Sequence, residues 1–280
     1  MNIKILSDST CDLSPELLAQ HNIDLARLTV VKDGQPYTDG TTITPADIFA
    51  HVAAGGDLCS TTAYNIGEYE ELFSKYAGEY DGVIHITIGS GFSSCYQNAC
   101  LAAEEFSNVR VVDSQNLSTG HGLVVLEACR LAAECGSLDE IVEKLNAFTP
   151  RVEASFLLDQ LKYMVKGGRC SSVAALGANL LGLKPCIEVK GGKMSVVKKY
   201  RGTYAKCLAS YVKERLADRE DIVRDTLFLT YTTVEDDCRT AVANAIEQHG
   251  HFNTVYETTA GCTVSCHCGP ATLGVLFVRK

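Results

Sequence analysis

The chain has 280 residues, a length of about two ordinary domains, and it is 46% hydrophobic and 21% charged, a globular composition with material for two buried cores. Lysine and arginine number 25 against 34 aspartates and glutamates, and the net charge of −9 argues against a general binder of nucleic acid or anionic membrane. No run of about 18 apolar residues occurs, so no stable membrane insertion is expected.

The N-terminal Met1-Asn2-Ile3-Lys4-Ile5-Leu6 enters strand-like sequence directly and shows no secretory pattern. Thirteen cysteines are an odd number for a disulfide framework. They read as thiols packed like small apolar groups, and the expected location is cytoplasmic. Residues 2–7 alternate and then reach Ser7-Asp8-Ser9-Thr10, a turn rich in short oxygen-bearing side chains. Ser14-Pro15-Glu16 and Thr44-Pro45-Ala46-Asp47 start helices, with a hydroxyl cap and proline in the first turn. Residues 25–31 predict a second strand, with a turn at Asp33-Gly34, and residues 67–77 a helix with Tyr69, Leu72, Phe73 and Tyr76 on one face.

A strand over 83–88 runs into Gly89-Ser90-Gly91 and a helix over 93–105. A strand over 109–112 ends at Asp113-Ser114, and helices follow over 118–135 and 137–148. In the last of these, Ser137 and Glu140 fit a capping box. Strands alternating with helices predict a mainly parallel sheet with helices on both faces. After Thr149-Pro150 the rhythm changes to α+β: a strand over 154–158, a short helix, a helix over 172–181 and a hairpin around Gly191-Gly192. A helix over 203–216, a strand near 226–232, a helix near 234–248 and strands near 252–257 and 273–278 complete the chain. The expected fold is therefore α/β, with domains at 1–150 and 151–280.

Hydroxyls gather where the first-half strands end, at Ser7, Ser9, Thr10, Thr61, Thr62, Ser90, Ser93, Ser94 and Ser114. Ligands of open parallel sheets bind beyond those ends, and helix N-termini with hydroxyls suit an anion. Any one such residue most often caps a helix or makes a turn, but the pairs Thr61-Thr62 and Ser93-Ser94 exceed what one cap needs. Gly91-Phe92-Ser93-Ser94-Cys95 approaches a nucleophile elbow without its last glycine, with His267 late in the chain. That leaves a serine hydrolase of acyl esters, with Ser93 as nucleophile, as the alternative. Cys262, Cys266, His267 and Cys268 lack zinc-finger spacing, and a strand through them would point Cys266 and Cys268 to one face and His267 to the other. Lys166-Gly167-Gly168-Arg169 is not a nucleotide-binding loop, and Lys198-Lys199-Tyr200-Arg201-Gly202 is a basic spot on an acidic protein.

Taken in order, Ser7-Asp8-Ser9-Thr10, Thr61-Thr62, Ser90 through Tyr96, Val112-Asp113-Ser114 and Lys166 through Arg169 resemble the DegV family of bacterial fatty-acid-binding proteins. Leu183-Lys184-Pro185, Arg201-Gly202 and Gly261 through Pro270 extend the resemblance over nearly the whole chain. Three segments depart from the family pattern. Thr62-Ala63-Tyr64 stands where Ser-Gln-Pro is usual, Phe92-Ser93-Ser94-Cys95 where Leu-Ser-Gly-Thr is, and Gly269-Pro270-Ala271 where Gly-Pro-Gly is. The resemblance implies two α/β-type domains with one long-chain fatty acid, such as palmitate, held between them. Thr61, Thr62, Ser93, Ser94 and His267 would hold the carboxylate, and the second domain the acyl tail. Arg169 and Arg201 would support the site or dock a partner. The implied role is a carrier, itself no enzyme and without cofactor or metal, that presents the acid to a separate fatty-acid kinase.

Overall fold

The computed structural model describes residues 1–175 and 182–280, so the end of the predicted helix over 172–181 lies outside the described residues. The first half runs β1 (Ile3–Asp8), α1 (Pro15–Gln20), β2 (Asp24–Ala26), β3 (Thr29–Lys32), β4 (Gln35–Thr38), α2 (Pro45–Ala53), β5 (Ser60–Thr62), α3 (Ile66–Ala77), β6 (Gly82–Thr87), α4 (Cys95–Ala103), β7 (Val109–Asp113), α5 (Ser118–Glu134) and α6 (Leu138–Phe148). The second runs β8 (Val152–Leu158), α7 (Leu161–Gly167), α8 (Ser171–Ala174), β9 (Leu183–Lys190), β10 (Lys193–Arg201), α9 (Tyr204–Leu216), β11 (Ile222–Tyr231), α10 (Asp236–His249), β12 (Thr254–Thr259), α11 (Cys262–Cys268) and β13 (Thr272–Arg279).

Several helix starts follow from their own residues. Ser14 accepts from Leu17 N–H with Pro15 behind it, and Thr44 closes a capping box with Asp47. The box expected at Ser137 forms only by half. Ser137 Oγ accepts from Glu140 N–H at 3.2 Å, but the Glu140 carboxylate reaches back one residue further, to Gly136 N–H at 3.3 Å.

The first half holds a wholly parallel sheet in the order β2-β1-β6-β7, flanked by helices, and a three-stranded antiparallel sheet β4-β3-β5. The single strand expected over 25–31 is thus two strands in two sheets. Leu28 N–H donates to Ser9 Oγ at 3.2 Å instead of to a neighbouring strand, and Arg27 Nη1 bonds Asp39 O at 3.1 Å. The chain turns out of the parallel sheet there.

The second half is a six-stranded sheet, β10-β9-β8-β13-β11-β12, antiparallel except for β11 and β12. The central strands β8 and β13 alternate strictly, whereas β10 and β11 carry register shifts at Val196/Lys198 and Val223/Leu227. Ala154, Phe156, Leu158, Leu276 and Val278 join the core that includes the first-half sheet, whereas Leu157, Leu273, Val275 and Phe277 join a separate core with Leu208, Val212 and Val242 from α9 and α10. Between the two sheets lies α5, buried from Ser118 to Val125. Gly122 lets it close on the first half, since a side chain there would meet Cys11 O at 2.7 Å.

The Cys266-His267-Cys268 stretch, considered above as a strand, belongs to the helix α11. Its first N–H groups are taken by carboxyl groups distant in sequence: Gly261 N donates to Asp12 at 2.9 Å, and Cys262 N and Thr263 N donate to Asp39 at 2.9 and 3.3 Å. Thr263 Oγ1 adds a bond to Asp39 at 2.7 Å. Helical spacing turns Cys266 and Cys268 to different sides. Cys266 packs with Cys59, Cys262, Val30 and Ile48, and Cys268 packs in the inter-sheet core. Among the described residues no three His, Cys, Asp or Glu side chains converge as a metal site, and no helix is long and apolar enough to cross a membrane.

Candidate functional site

The loop between β6 and α4 is pinned before it reaches its serines. Ile88 N–H donates to the buried Asp8 carboxylate at 2.8 Å, and Gly89 N–H to Asn116 O at 2.8 Å. Gly89 is required by this approach, since a side chain would stand 2.9 Å from Asn116 N. Asp113 then accepts from Ser90 N, Ser90 Oγ and Gln115 N at 3.0, 2.6 and 2.8 Å. The helix α4 begins only at Cys95, so Ser93 and Ser94 precede it on the fixed loop instead of forming its first turn as expected.

Behind the loop is a cavity of about 150 Å³ whose wall includes Thr61, Thr62, Ser93, Ser94, Arg169 and His267. Leu28, Ile88, Phe92, Leu117, Met164, Met194 and Val264 supply its apolar wall. Three of the wall residues, Leu117, Val264 and Cys268, also line a smaller cavity of about 30 Å³ that reaches Ala154, Phe156, Val189 and Leu276 on the inner face of the second sheet. The five residues expected to hold a head group thus come to one chamber from three distant segments, and the smaller cavity lies beyond its shared wall. Arg201 does not line the chamber, lying exposed at the end of β10. Arg169 does, held by two backbone carbonyl groups. Its Nε donates to Phe92 O at 3.3 Å and its Nη1 to Gly167 O at 2.7 Å.

His267 Nε2 and Thr61 Oγ1 are 2.8 Å apart, whereas His267 Nδ1 is buried without a hydrogen-bond partner among the described residues. A buried N–H without an acceptor is costly, so the proton belongs on Nε2, where it donates to Thr61 Oγ1. The Thr61 hydroxyl proton is then available to the cavity. Burial, and then the positive charge of Arg169, push His267 down to about 4, so the ring is neutral at pH 7. The Thr62 and Ser94 hydroxyls have no protein hydrogen bond among the described residues, and Ser93 Oγ donates to Cys95 Sγ at 3.1 Å. The arrangement therefore offers several O–H donors, and a guanidinium at its edge, to one acceptor-only group.

The same geometry bears on the hydrolase alternative. An acyl-transfer relay needs serine on one ring nitrogen and a carboxylate on the other. Here His267 Nε2 faces Thr61, and a side chain at Gly167 would fall 2.4 Å from Nδ1, where no carboxylate among the described residues bonds it.

Of the other strand-end hydroxyls, Ser7 and Thr10 contact the buried His121 ring at 3.0 and 3.5 Å, Ser9 bonds Asp39, and Ser114 bonds Asn116 O. They are scaffold. The roles of Asp8, Asp12, Asp39 and Asp113 escaped the sequence analysis, although Asp8 and Asp113 fix the loop after β6 and Asp12 and Asp39 fix the start of α11. The visible signal was an aspartate beside two of the hydroxyl clusters, in Ser7-Asp8-Ser9 and Asp113-Ser114.

A family model described as "Uncharacterised protein, DegV family" matches residues 2–280. A DegV domain-containing protein of Clostridium acetobutylicum is 32% identical over 99% of each chain. Among solved structures, a DegV family protein from Thermus thermophilus, described by its fatty acid binding, has a TM-score of 0.92 at 28% identity over 100% of both chains. DegV of Bacillus subtilis, described as a fatty acid binding protein, has a TM-score of 0.82 at 24% identity, also over 100% of both, a likeness of fold. With the model spanning the chain and a relative at this identity, the chain belongs to the DegV family.

Proposed function

We propose that this chain binds one long-chain fatty acid, with its carboxylate against Thr61, Thr62, Ser93 and Ser94 and with His267 orienting Thr61. The observation that carries the reading is a cluster of O–H donors in the wall of one cavity, with a second, mainly apolar cavity behind the shared wall of Leu117, Val264 and Cys268. The fatty acid binding described for the Thermus thermophilus protein supports it. Residues 1–150 supply most of the head-group loops and 151–280 most of the acyl tunnel, with α11 lending His267 back across. Burying about 15 methylene equivalents at about 0.8 kcal/mol each provides roughly 12 kcal/mol before ordering costs. The tail supplies affinity, and the hydroxyls satisfy a carboxylate that would be costly to bury without donors.

The test is uptake of hexadecanoate by delipidated protein. Removing two charge-assisted donors in the double variant Thr62→Ala, Ser93→Ala should weaken binding at least about tenfold with the fold intact. Unchanged binding in that variant would remove the head-group assignment. Fluorophosphonate should leave Ser93 unlabelled.

As a cytoplasmic carrier, the protein presents the bound acid to a separate kinase that brings the ATP, with Arg169 and Arg201 on the docking side. Acyl phosphate should then form only when lipid-loaded protein, kinase and ATP are all present. Arg201→Glu should slow that turnover without changing lipid retention; equal turnover would discard the docking role.

A further inference from the structure

Ser93 is a cavity hydroxyl whose proton is already engaged. Its O–H donates to Cys95 Sγ at 3.1 Å, and Cys95 N–H donates back to Ser93 Oγ at 3.3 Å. Cys95 is 0% exposed and does not line the cavity. The Tyr69 hydroxyl also acts on the thiol. That hydroxyl donates to Asp8 Oδ1 at 2.6 Å, and the same oxygen meets His85 Nε2 at 3.0 Å. The thiol thus stands between a ligand-facing serine and a fixed buried network.

An ionised carboxylate only accepts, and a serine has one proton. To bind a carboxylate, Ser93 must take its proton away from sulfur. The thiol has a proton of its own to return, because burial pushes Cys95 up to about 12 and keeps it as S–H at neutral pH. We propose that Cys95 is a positioning residue for Ser93: it accepts the hydroxyl proton in the bond the structure shows, and donates S–H to Ser93 Oγ once that hydroxyl turns to a carboxylate. The inference rests on the fatty-acid reading and adds a residue that touches no ligand. Sulfur is weak in both roles, so the bond given up is weak. The returned bond is stronger than the one lost, because it ends a chain S–H to O–H to carboxylate that a charged acceptor polarises. An alcohol head group gains nothing from the reversal, since it can donate to Ser93 Oγ itself.

The readout is therefore the preference for acid over alcohol. Affinities for hexadecanoate and hexadecanol would be measured on the delipidated full chain for the wild type, Cys95→Ala and Cys95→Ser. The acid preference should fall about threefold or more in Cys95→Ala, in keeping with one modest hydrogen bond, and return in Cys95→Ser. Equal loss for both lipids, which is a packing effect, or no change at all, overturns the proposal. In the wild type, the infrared S–H stretch that Cys95→Ser removes should shift on adding hexadecanoate and not on adding hexadecanol. A band that stays still overturns the proposal even if Cys95→Ala fails to fold. A wild type that binds neither lipid overturns the fatty-acid reading itself, whereas one that binds hexadecanoate while Cys95→Ala behaves identically overturns only the role of Cys95.

Discussion

His267 sits as an uncharged ring between Thr61 and Gly167, and its burial gives the protein a pH dependence that can be worked out. His267 and the buried His121 are both held down to about 4 from an ordinary 6.5. Between those values the unfolded chain binds two more protons than the folded one, and stability rises with pH. Asp12 acts the other way. Burial, with the charge of Asp39 beside it, pushes Asp12 from 3.8 up to about 8 against the bonds from Ser118 and Gly261. From 3.8 to 8 the folded state holds that proton, so stability falls as pH rises. From about 4 to 6.5 two histidines outweigh one aspartate, and above 6.5 the aspartate acts alone. Denaturant unfolding across pH should therefore show a maximum near 6.5, with the limb above it flattened in Asp12→Asn. Asn suits the left-handed backbone of that position, where φ is 49°. In His267→Gln the remaining histidine and aspartate cancel, so the acid limb should become flat. An unaltered slope there would mean that His267 is not held neutral by burial.

At the scale of elements, α11 is the hinge of the site, because Thr263, Val264, His267 and Cys268 all reach the chamber from it. Its start depends on Asp12 and Asp39, which lie more than two hundred residues earlier in the chain. Asp39→Asn removes a charged acceptor that serves two N–H groups and two hydroxyls. The expected cost is on the order of 2–3 kcal/mol, read as a lower Tm, with weaker lipid retention as His267 shifts. A variant as stable as wild type would show that α11 holds without this cap. The same remoteness explains what the sequence could and could not disclose. Helices that carry their own caps, at Ser14, Thr44 and Ser137, were legible from neighbouring residues. So were the alternating strands of the second sheet. Cys266-His267-Cys268, in a helix capped from afar and rich in Cys, Thr and Val, read as a strand. The break at Arg27-Leu28 was hidden because its cause is a hydroxyl nineteen residues upstream, on Ser9. The site showed a similar division. Pairs of hydroxyls marked the loops, and the family resemblance grouped them with His267. The apolar wall and the bonds of Asp12 and Asp39 to α11 depend on how the halves meet.

At the scale of the whole molecule, one core runs through both halves. Ile5, Ile84 and Ile86 of the parallel sheet belong with Ala154, Phe156 and Leu276 of the second sheet, with α5 between them. The cavities open inside that shared core. Unfolding should therefore be a single calorimetric transition, and bound hexadecanoate should raise its Tm as a ligand of the folded state does. Two separated transitions, with only one responding to lipid, would contradict a shared core. The most direct measurement of the central claim is the native mass of the protein purified from a bacterial host, followed by analysis of what denaturation releases. The account predicts one long-chain fatty acid per chain, largely lost from the double variant Thr62→Ala, Ser93→Ala. A protein whose native mass equals that of the bare chain, and that takes up no added hexadecanoate, would contradict it.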